Sequence, residues 1–282
     1  MGLIGVPRDD ADLLVTRLVA GQDVTMPVML VVAHPDDETI GLGGTLCRLR
    51  HLALLHVTDG APRDGRDARA AGFPDGAAYA AARRRELDAA LRAGEVTPVA
   101  IHRLDVPDQG AASRLTAVAR ELASRFHASA PSVVLTHAYE GGHPDHDATA
   151  FAVHAARDLL RAAGQAAPEV VEMAGYHAGP GGIVTGRFLP GRSRAAAVPL
   201  DAAARARKTR MLDAFATQQD TLRSFPVADA EPLRPAAPTD FTAPPHVGPL
   251  FYEGFDWGMT GAAFRDEAAA ARRALRLPVA GT

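Results

Sequence analysis

Pro27-Val28-Met29-Leu30-Val31-Val32-Ala33-His34-Pro35-Asp36-Asp37-Glu38 joins an unbroken apolar run to a histidine and three carboxylates. An apolar run of this length reads as a strand buried on both faces, the pattern of a parallel sheet. Such a strand does not ordinarily end in charge. Desolvating these groups would cost on the order of several kcal/mol without compensation, and a divalent metal is the simplest compensation. His34 and Asp37, three residues apart, project to one side of a helix start, while the adjacent Asp36 points elsewhere. Pro35 suits a first helical position, where its missing N–H is not needed. The stretch therefore predicts a strand, a histidine and a helix N-terminus.

Working outward, Asp9 to Ala20 carries Leu13, Leu14, Leu18 and Val19 at helical spacing and predicts an amphipathic helix before the first strand. Beyond the motif, Thr39 to Arg50 is expected to be helical in its second half, with Gly41, Gly43 and Gly44 allowing close approach to a sheet. These glycines lack the Gly-x-Gly-x-x-Gly spacing of a dinucleotide loop. Leu52 to Thr58 reads as a second strand ending in Thr58-Asp59-Gly60, and Ala77 to Ala93 as a helix. Thr97 to His102 is a third strand, followed by a polar loop from Arg103 to Gly110 that contains Asp108. Ser113 to Ala128 is a helix and Ser132 to His137 a fourth strand. Strands alternating with helices of this length predict right-handed βαβ units and a mostly parallel α/β sheet, with ligands beyond the carboxyl ends of the strands.

The fourth strand runs into His137-Ala138-Tyr139-Glu140-Gly141-Gly142-His143-Pro144-Asp145-His146-Asp147. This second cluster repeats the first: a histidine, a proline, an acid, then a ligand-type residue three on from the histidine, opening a helix that runs to about Ala163. Two such clusters at strand-to-helix transitions meet in space if their strands are neighbours. Farther on, Glu169 to His177 and Ala195 to Leu200 read as strands. Asp201 to Thr217 reads as a helix with Lys208 and Arg210 facing solvent. Ser224 to Pro249 reads as an irregular surface segment. The aromatic group from Phe251 to Trp257 is expected to fold back on the body, and Ala262 to Leu275 forms a last helix.

Two histidines and a carboxylate with an open position suit a catalytic zinc, whose natural chemistry is hydrolysis. Asp37 would fix the metal and Asp36, left free, would take a proton from the activated water. His143 exceeds the ligand set and is free to donate to a developing oxyanion or a leaving amine. Asp145 can hold a histidine ring in its tautomer.

Composition narrows the partners. Lys and Arg number 30 against 33 Asp and Glu, a formal charge of −3 that gives no basic surplus for nucleic acid. Cys47 is the single cysteine among 282 residues, so no internal disulfide forms. With no basic and apolar leader in the first ten residues and no apolar run of about 18 residues, the expectation is a cytoplasmic protein without a membrane span. Self-association stays open.

Ala33-His34-Pro35-Asp36-Asp37-Glu38 together with His143-Pro144-Asp145-His146 resembles the LmbE-like, or PIG-L, zinc deacetylases, which remove N-acetyl groups mainly from glucosamine-containing glycoconjugates. Thr58-Asp59-Gly60, Arg83-x-x-Glu86-Leu87 and Pro107-Asp108 fall in the order of that family's other motifs. The resemblance implies a Rossmann-like three-layer sandwich and one deacetylase domain over 1–282, with a variable C-terminal segment from about 222. It implies Zn2+ on His34, Asp37 and His146, Asp36 as general base, His143 as acid or oxyanion stabiliser, and sugar contacts by Arg83 and Asp108. Some members carry an oxyanion tyrosine two residues before the first histidine of the second motif; here that position is Gly141, and the role of Tyr139 is left open. A zinc amidase acting on a non-sugar amide and a non-catalytic metal- or nucleotide-binding module are the alternatives.

Overall fold

The computed structural model describes residues 9–190 and 194–278, so the stretch up to Arg8 lies outside the described residues. In chain order the elements are α1 (Asp10–Val19), β1 (Val24–Val32), α2 (Asp37–Leu42), β2 (Leu49–Pro62), α3 (Arg66–Ala70), α4 (Gly76–Ala93), β3 (Ala100–Asp108), α5 (Leu115–Ser129), β4 (Val133–His137) and α6 (Pro144–Ala162). They continue as β5 (Glu169–Met173), β6 (Tyr176–Gly179), β7 (Gly182–Thr185), β8 (Ala196–Pro199), α7 (Ala202–Asp213), α8 (Gln219–Leu222), β9 (Ala230–Pro235) and α9 (Gly261–Ala274).

Seven strands form one sheet in the order β3-β2-β1-β4-β5-β9-β8, and β6 and β7 form a separate hairpin. The first five strands are parallel, while β9 runs antiparallel to both β5 and β8. Alternate residues of β1 feed opposite layers, as the period of a strand requires. Met29 and Val31 pack with Leu122 of α5, Phe151 of α6 and Phe264 of α9. Val28, Leu30 and Val32 pack with Leu14 of α1, Leu87 of α4 and Met211 of α7. The result is the expected mostly parallel sheet between two helical layers.

From β1 the chain moves to β2 and β3 on one side, then returns to place β4 and β5 on the other. The order reverses between β1 and β4, which pair directly from Val28↔Val133 to Leu30↔Leu135. Such a reversal opens a crevice beyond the strand ends. Both His-Pro clusters emerge there.

Several expected boundaries shift. Helix α2 occupies the front of the segment assigned to Thr39–Arg50, not its second half, which holds only a short 3-10 turn over Leu46–Arg48 before β2 begins. Gly41 is tolerated inside α2 because a Cβ there would lie 2.3 Å from Met173 Sδ. β3 carries the supposed polar loop through to Asp108, because Pro62↔Asp108 still pairs with β2. The strand expected over Glu169–His177 breaks at Ala174-Gly175, and its second part joins the hairpin. The helix expected over Asp201–Thr217 ends at Asp213.

Two corrections concern burial. Lys208 is buried: its ammonium donates to Ile40 O at 2.6 Å and Glu231 Oε1 at 2.9 Å. Within the segment read as irregular, β9 enters the main sheet despite Pro232 and Pro235, residues that argue against an inner strand. Pro232 contributes its carbonyl, which accepts from Ala174 N at 3.2 Å.

Candidate metal and catalytic site

The first cluster is a turn followed by a helix. α2 begins at Asp37, so Pro35 lies ahead of the helix and not at its first position. His34 and Asp37 are still brought together, because the turn lets His34 N donate to Asp37 Oδ2 at 2.7 Å. Asp36 takes a left-handed φ of 148°, which is costly for a residue with a Cβ and is a feature found at functional sites. Glu38 braces the turn: it is fully buried, accepts from Asp36 N at 3.1 Å and Thr39 Oγ1 at 2.7 Å, and faces His56 Nε2 of β2 at 3.1 Å.

The second cluster does open a helix directly. His143 is the N-cap of α6 and Pro144 its first residue. His143 Nδ1 accepts from Asp145 N at 3.1 Å, so the proton of the neutral ring sits on Nε2. Burial and the neighbouring His34 hold His143 well below the usual histidine range, which keeps it neutral. Gly142 is required by close approach, since a Cβ would lie 2.1 Å from Tyr176 O.

At the crevice three residues form a tight triangle, two ring nitrogens and the two oxygens of one carboxylate. His34 Nδ1 lies 3.2 Å from Asp37 Oδ2, His146 Nε2 lies 3.1 Å from Asp37 Oδ1, and the two ring nitrogens are 3.3 Å apart. Ligands about 2.0 Å from a tetrahedral ion stand about 3.3 Å apart, so the donor set fits a divalent ion. His34, Asp37 and His146 are all buried. Although burial works the other way, the His146 ring holds the Asp37 carboxyl well below the usual carboxylate range.

The far nitrogen of His34 is held as well. Its Nε2 faces Asp108 Oδ1 at 3.1 Å and Asp145 Oδ2 at 3.4 Å, which leaves Nδ1 as the nitrogen turned to the triangle. Asp145 is fully buried and also accepts from Gln109 N and Ala111 N, so it ties the β3 exit to α6. Asp108, expected near a sugar, lies beside His34 and 3.9 Å from His143 Nε2.

Arg83, the other expected sugar contact, is placed differently. It is 3% exposed, beneath Asp36. Its Nη2 donates to Asp36 Oδ2 at 3.0 Å and Pro35 O at 2.8 Å, and its Nη1 donates to Gly60 O at 3.0 Å. The forked donors of arginine thus hold both the carboxylate and the backbone of the strained turn. Burial pushes the Asp36 carboxyl up to about 8, and Arg83 limits the rise.

The sequence reading assigned no role to His137, Tyr176 or Trp257. The His137 ring stacks on His146 with centroids 4.0 Å apart, and its Nε2 accepts from Ala33 N at 3.0 Å. Burial and His146 lower it to about 4, consistent with a neutral acceptor. Its position at the end of β4 was the one signal available. Tyr176 packs edge-on to His146 at 5.3 Å, and Trp257 lies 4.6 Å from His143 by ring centroids. The aromatic group thus folds back onto the site. Tyr139, whose role was open, packs on Phe241 and Phe264 and donates to Ala243 O at 3.0 Å. It is a core residue.

Residues 29–157, which span both clusters, match the family described as GlcNAc-PI de-N-acetylase, PIG-L. No curated protein matches the chain by sequence. Among solved structures, the zinc-inhibited form of teicoplanin deacetylase shares the fold with a TM-score of 0.57 and 18% identity, over 76% of this chain and 99% of that one. The A40926 pseudoaglycone deacetylase gives 0.54 and 20%, over 76% and 100%. The N,N'-diacetylchitobiose deacetylase of Pyrococcus horikoshii gives 0.51 and 18%, over 74% and 82%. At these identities the likeness is one of fold. No helix among the described residues is long and apolar enough to cross a membrane.

Proposed function

We propose that this protein is a zinc-dependent N-deacetylase that removes the N-acetyl group from an N-acetylglucosamine-type glycoconjugate. The observation that carries the reading is the donor triangle of His34, Asp37 and His146 with a fourth, separately held carboxylate, Asp36, beside it. The triangle would hold the zinc. When bound, the ion would polarise the amide carbonyl and acidify water.

The chain's own residues account for the proton movements. Asp36 takes a proton from the attacking water, and burial raises its carboxyl above the usual carboxylate range, which makes its ionised form a stronger base. His143, neutral with its proton on Nε2, donates a hydrogen bond to the oxyanion of the tetrahedral intermediate. As a neutral imidazole it is a weak acid, so the proton held by Asp36 is the one returned to the leaving amine. Asp108 and Asp145 fix the His34 ring, and Arg83 holds Asp36 in its strained conformation. The segment beyond about residue 222 belongs to the same catalytic unit, since it supplies Trp257 against His143.

A zinc amidase acting on a non-sugar amide is the second reading, and the burial of Arg83 favours it by removing one of the two groups on which the sugar reading rested. Amine release from N-acetylglucosamine conjugates and from simple acetamides separates the two. Faster turnover of the conjugates is expected; equal rates would move the assignment to the amidase. Asp36→Asn should lose on the order of 10²-fold in kcat while keeping its metal, and Asp37→Asn should lose the metal. Equal metal contents in the two variants would refute the division of roles.

A further inference from the structure

The donor triangle has two sides. Asp108, His143 and Trp257 lie toward the far nitrogen of His34. On the other side, a narrow space of about 10 Å³, room for about one water, touches Asp37, His137, His146 and Tyr176. Beyond it lies a cavity of about 220 Å³ between α2, the chain after β7, α7 and β9. The two spaces share Ile40, Gly41, Ala174 and Phe225, so they are consecutive along one path that leads away from the metal donors.

The walls of the larger cavity are mixed, with Thr185, Arg187, Lys208 and Glu231 set among apolar residues and glycines. Ile40, Ala174, Leu212, Phe225, Pro226 and Pro232 are apolar, and the one buried cation there, Lys208, is already bonded to Ile40 O and Glu231. The mouth lies at Gly186 and Arg187, both exposed. Met173, an unbranched side chain that adapts its shape, lines the neck beside Gly41, where a Cβ would lie 2.3 Å from its sulfur.

An amide hydrolysed at the triangle carries an amine on one side of its carbonyl and an acyl chain on the other. If the amine-bearing part lies against Asp108 and Trp257, the acyl part points through the neck. Resting on the deacylase reading above, we infer that this cavity receives the acyl chain and that the enzyme accepts linear N-acyl groups longer than acetyl. The reaction is the same hydrolysis: water adds across the C–N bond, the amine leaves with a proton, and the acid released carries the longer chain.

The test uses the metal-loaded full-length protein and one glucosamine conjugate bearing N-acetyl, N-butanoyl or N-hexanoyl groups. Each methylene packed against the apolar residues of the cavity favours binding, so kcat/KM should rise at least about tenfold from acetyl to hexanoyl. Ala228→Trp, which fills the cavity from an exposed position remote from the donors, should abolish that rise and leave acetyl turnover unchanged. A wild-type kcat/KM that falls steadily with chain length, or a rise that survives Ala228→Trp, would overturn the inference.

Calorimetric binding of acetate, butanoate and hexanoate keeps the cavity testable apart from the reaction. If none of the conjugates is hydrolysed, the deacetylase reading fails. Hexanoate binding at least about tenfold tighter than acetate, and lost in Ala228→Trp, then still supports the cavity as an acyl site. Equal affinities would overturn it.

Discussion

Replacing Lys208 by Met should destabilise the fold far more than loss of a surface lysine would. The ammonium lies 2.9 Å from Glu231 Oε1, with both side chains less than a tenth exposed. At an effective dielectric of 20 that separation corresponds to about 6 kcal/mol of gross attraction, much of which offsets the desolvation of the two charges. The larger effect is what Lys208→Met leaves behind, a buried carboxylate without its counter-ion, at a typical cost of about 3–5 kcal/mol. Glu231 would keep its bonds from Gly44 N at 2.8 Å and Thr45 Oγ1 at 2.7 Å, while the Ile40 carbonyl would lose its donor. The expected loss is therefore about 3 kcal/mol in urea unfolding. Adding Glu231→Gln should recover at least about 2 kcal/mol, because the uncompensated charge is gone. A Lys208→Met loss below about 1 kcal/mol, with no recovery in the double variant, would refute the argument and return Lys208 to solvent.

Asp147 offers a pH test. Its Oδ1 accepts from Glu140 N and Gly141 N, its Oδ2 is buried without a partner, and burial pushes its carboxyl up to about 8. A folded-state value above the unfolded one means that its contribution to stability is fully present below about pH 4 and lost as pH rises through about 8, by up to about 1.4 kcal/mol per unit. Asp147→Asn should thus gain stability relative to wild type between pH 5 and 8; parallel melting-temperature profiles would count against this. Arg83→Met should lower kcat on the order of 10²-fold with KM little changed, since Asp36 loses its support. A raised KM with unaltered kcat would instead place Arg83 at the substrate. Removing metal with a chelator should abolish activity and lower the melting temperature, with both restored by zinc. An unchanged melting temperature and rate after verified metal removal would contradict the metal site.

What the sequence by itself determined is local. The run from Pro27 to Ala33 is apolar at every position, and the structure buries Val28 to Ala33 in an inner strand of a mostly parallel sheet, with Pro27 exposed at its entry. The spacing of His34 to Asp37 and of His143 to His146 identified groups that the backbone itself brings together. Strand-helix alternation gave the fold class because side-chain periodicity is a property of neighbouring residues. Tertiary structure decided the rest. Arg83 bonds Asp36 across 47 residues, Lys208 bonds Ile40 across 168, and Glu231 reaches Gly44 across 187. At those separations a charged side chain on a helix reads the same whether it meets solvent or a buried carboxylate. β9 was misread because its prolines argue against an inner strand, yet the sheet needs only the Pro232 carbonyl at that point. The site itself rests on one topological fact, that β1 and β4 are neighbours at the reversal of strand order. No local pattern specifies that pairing, because it depends on where each βαβ crossover returns to the sheet.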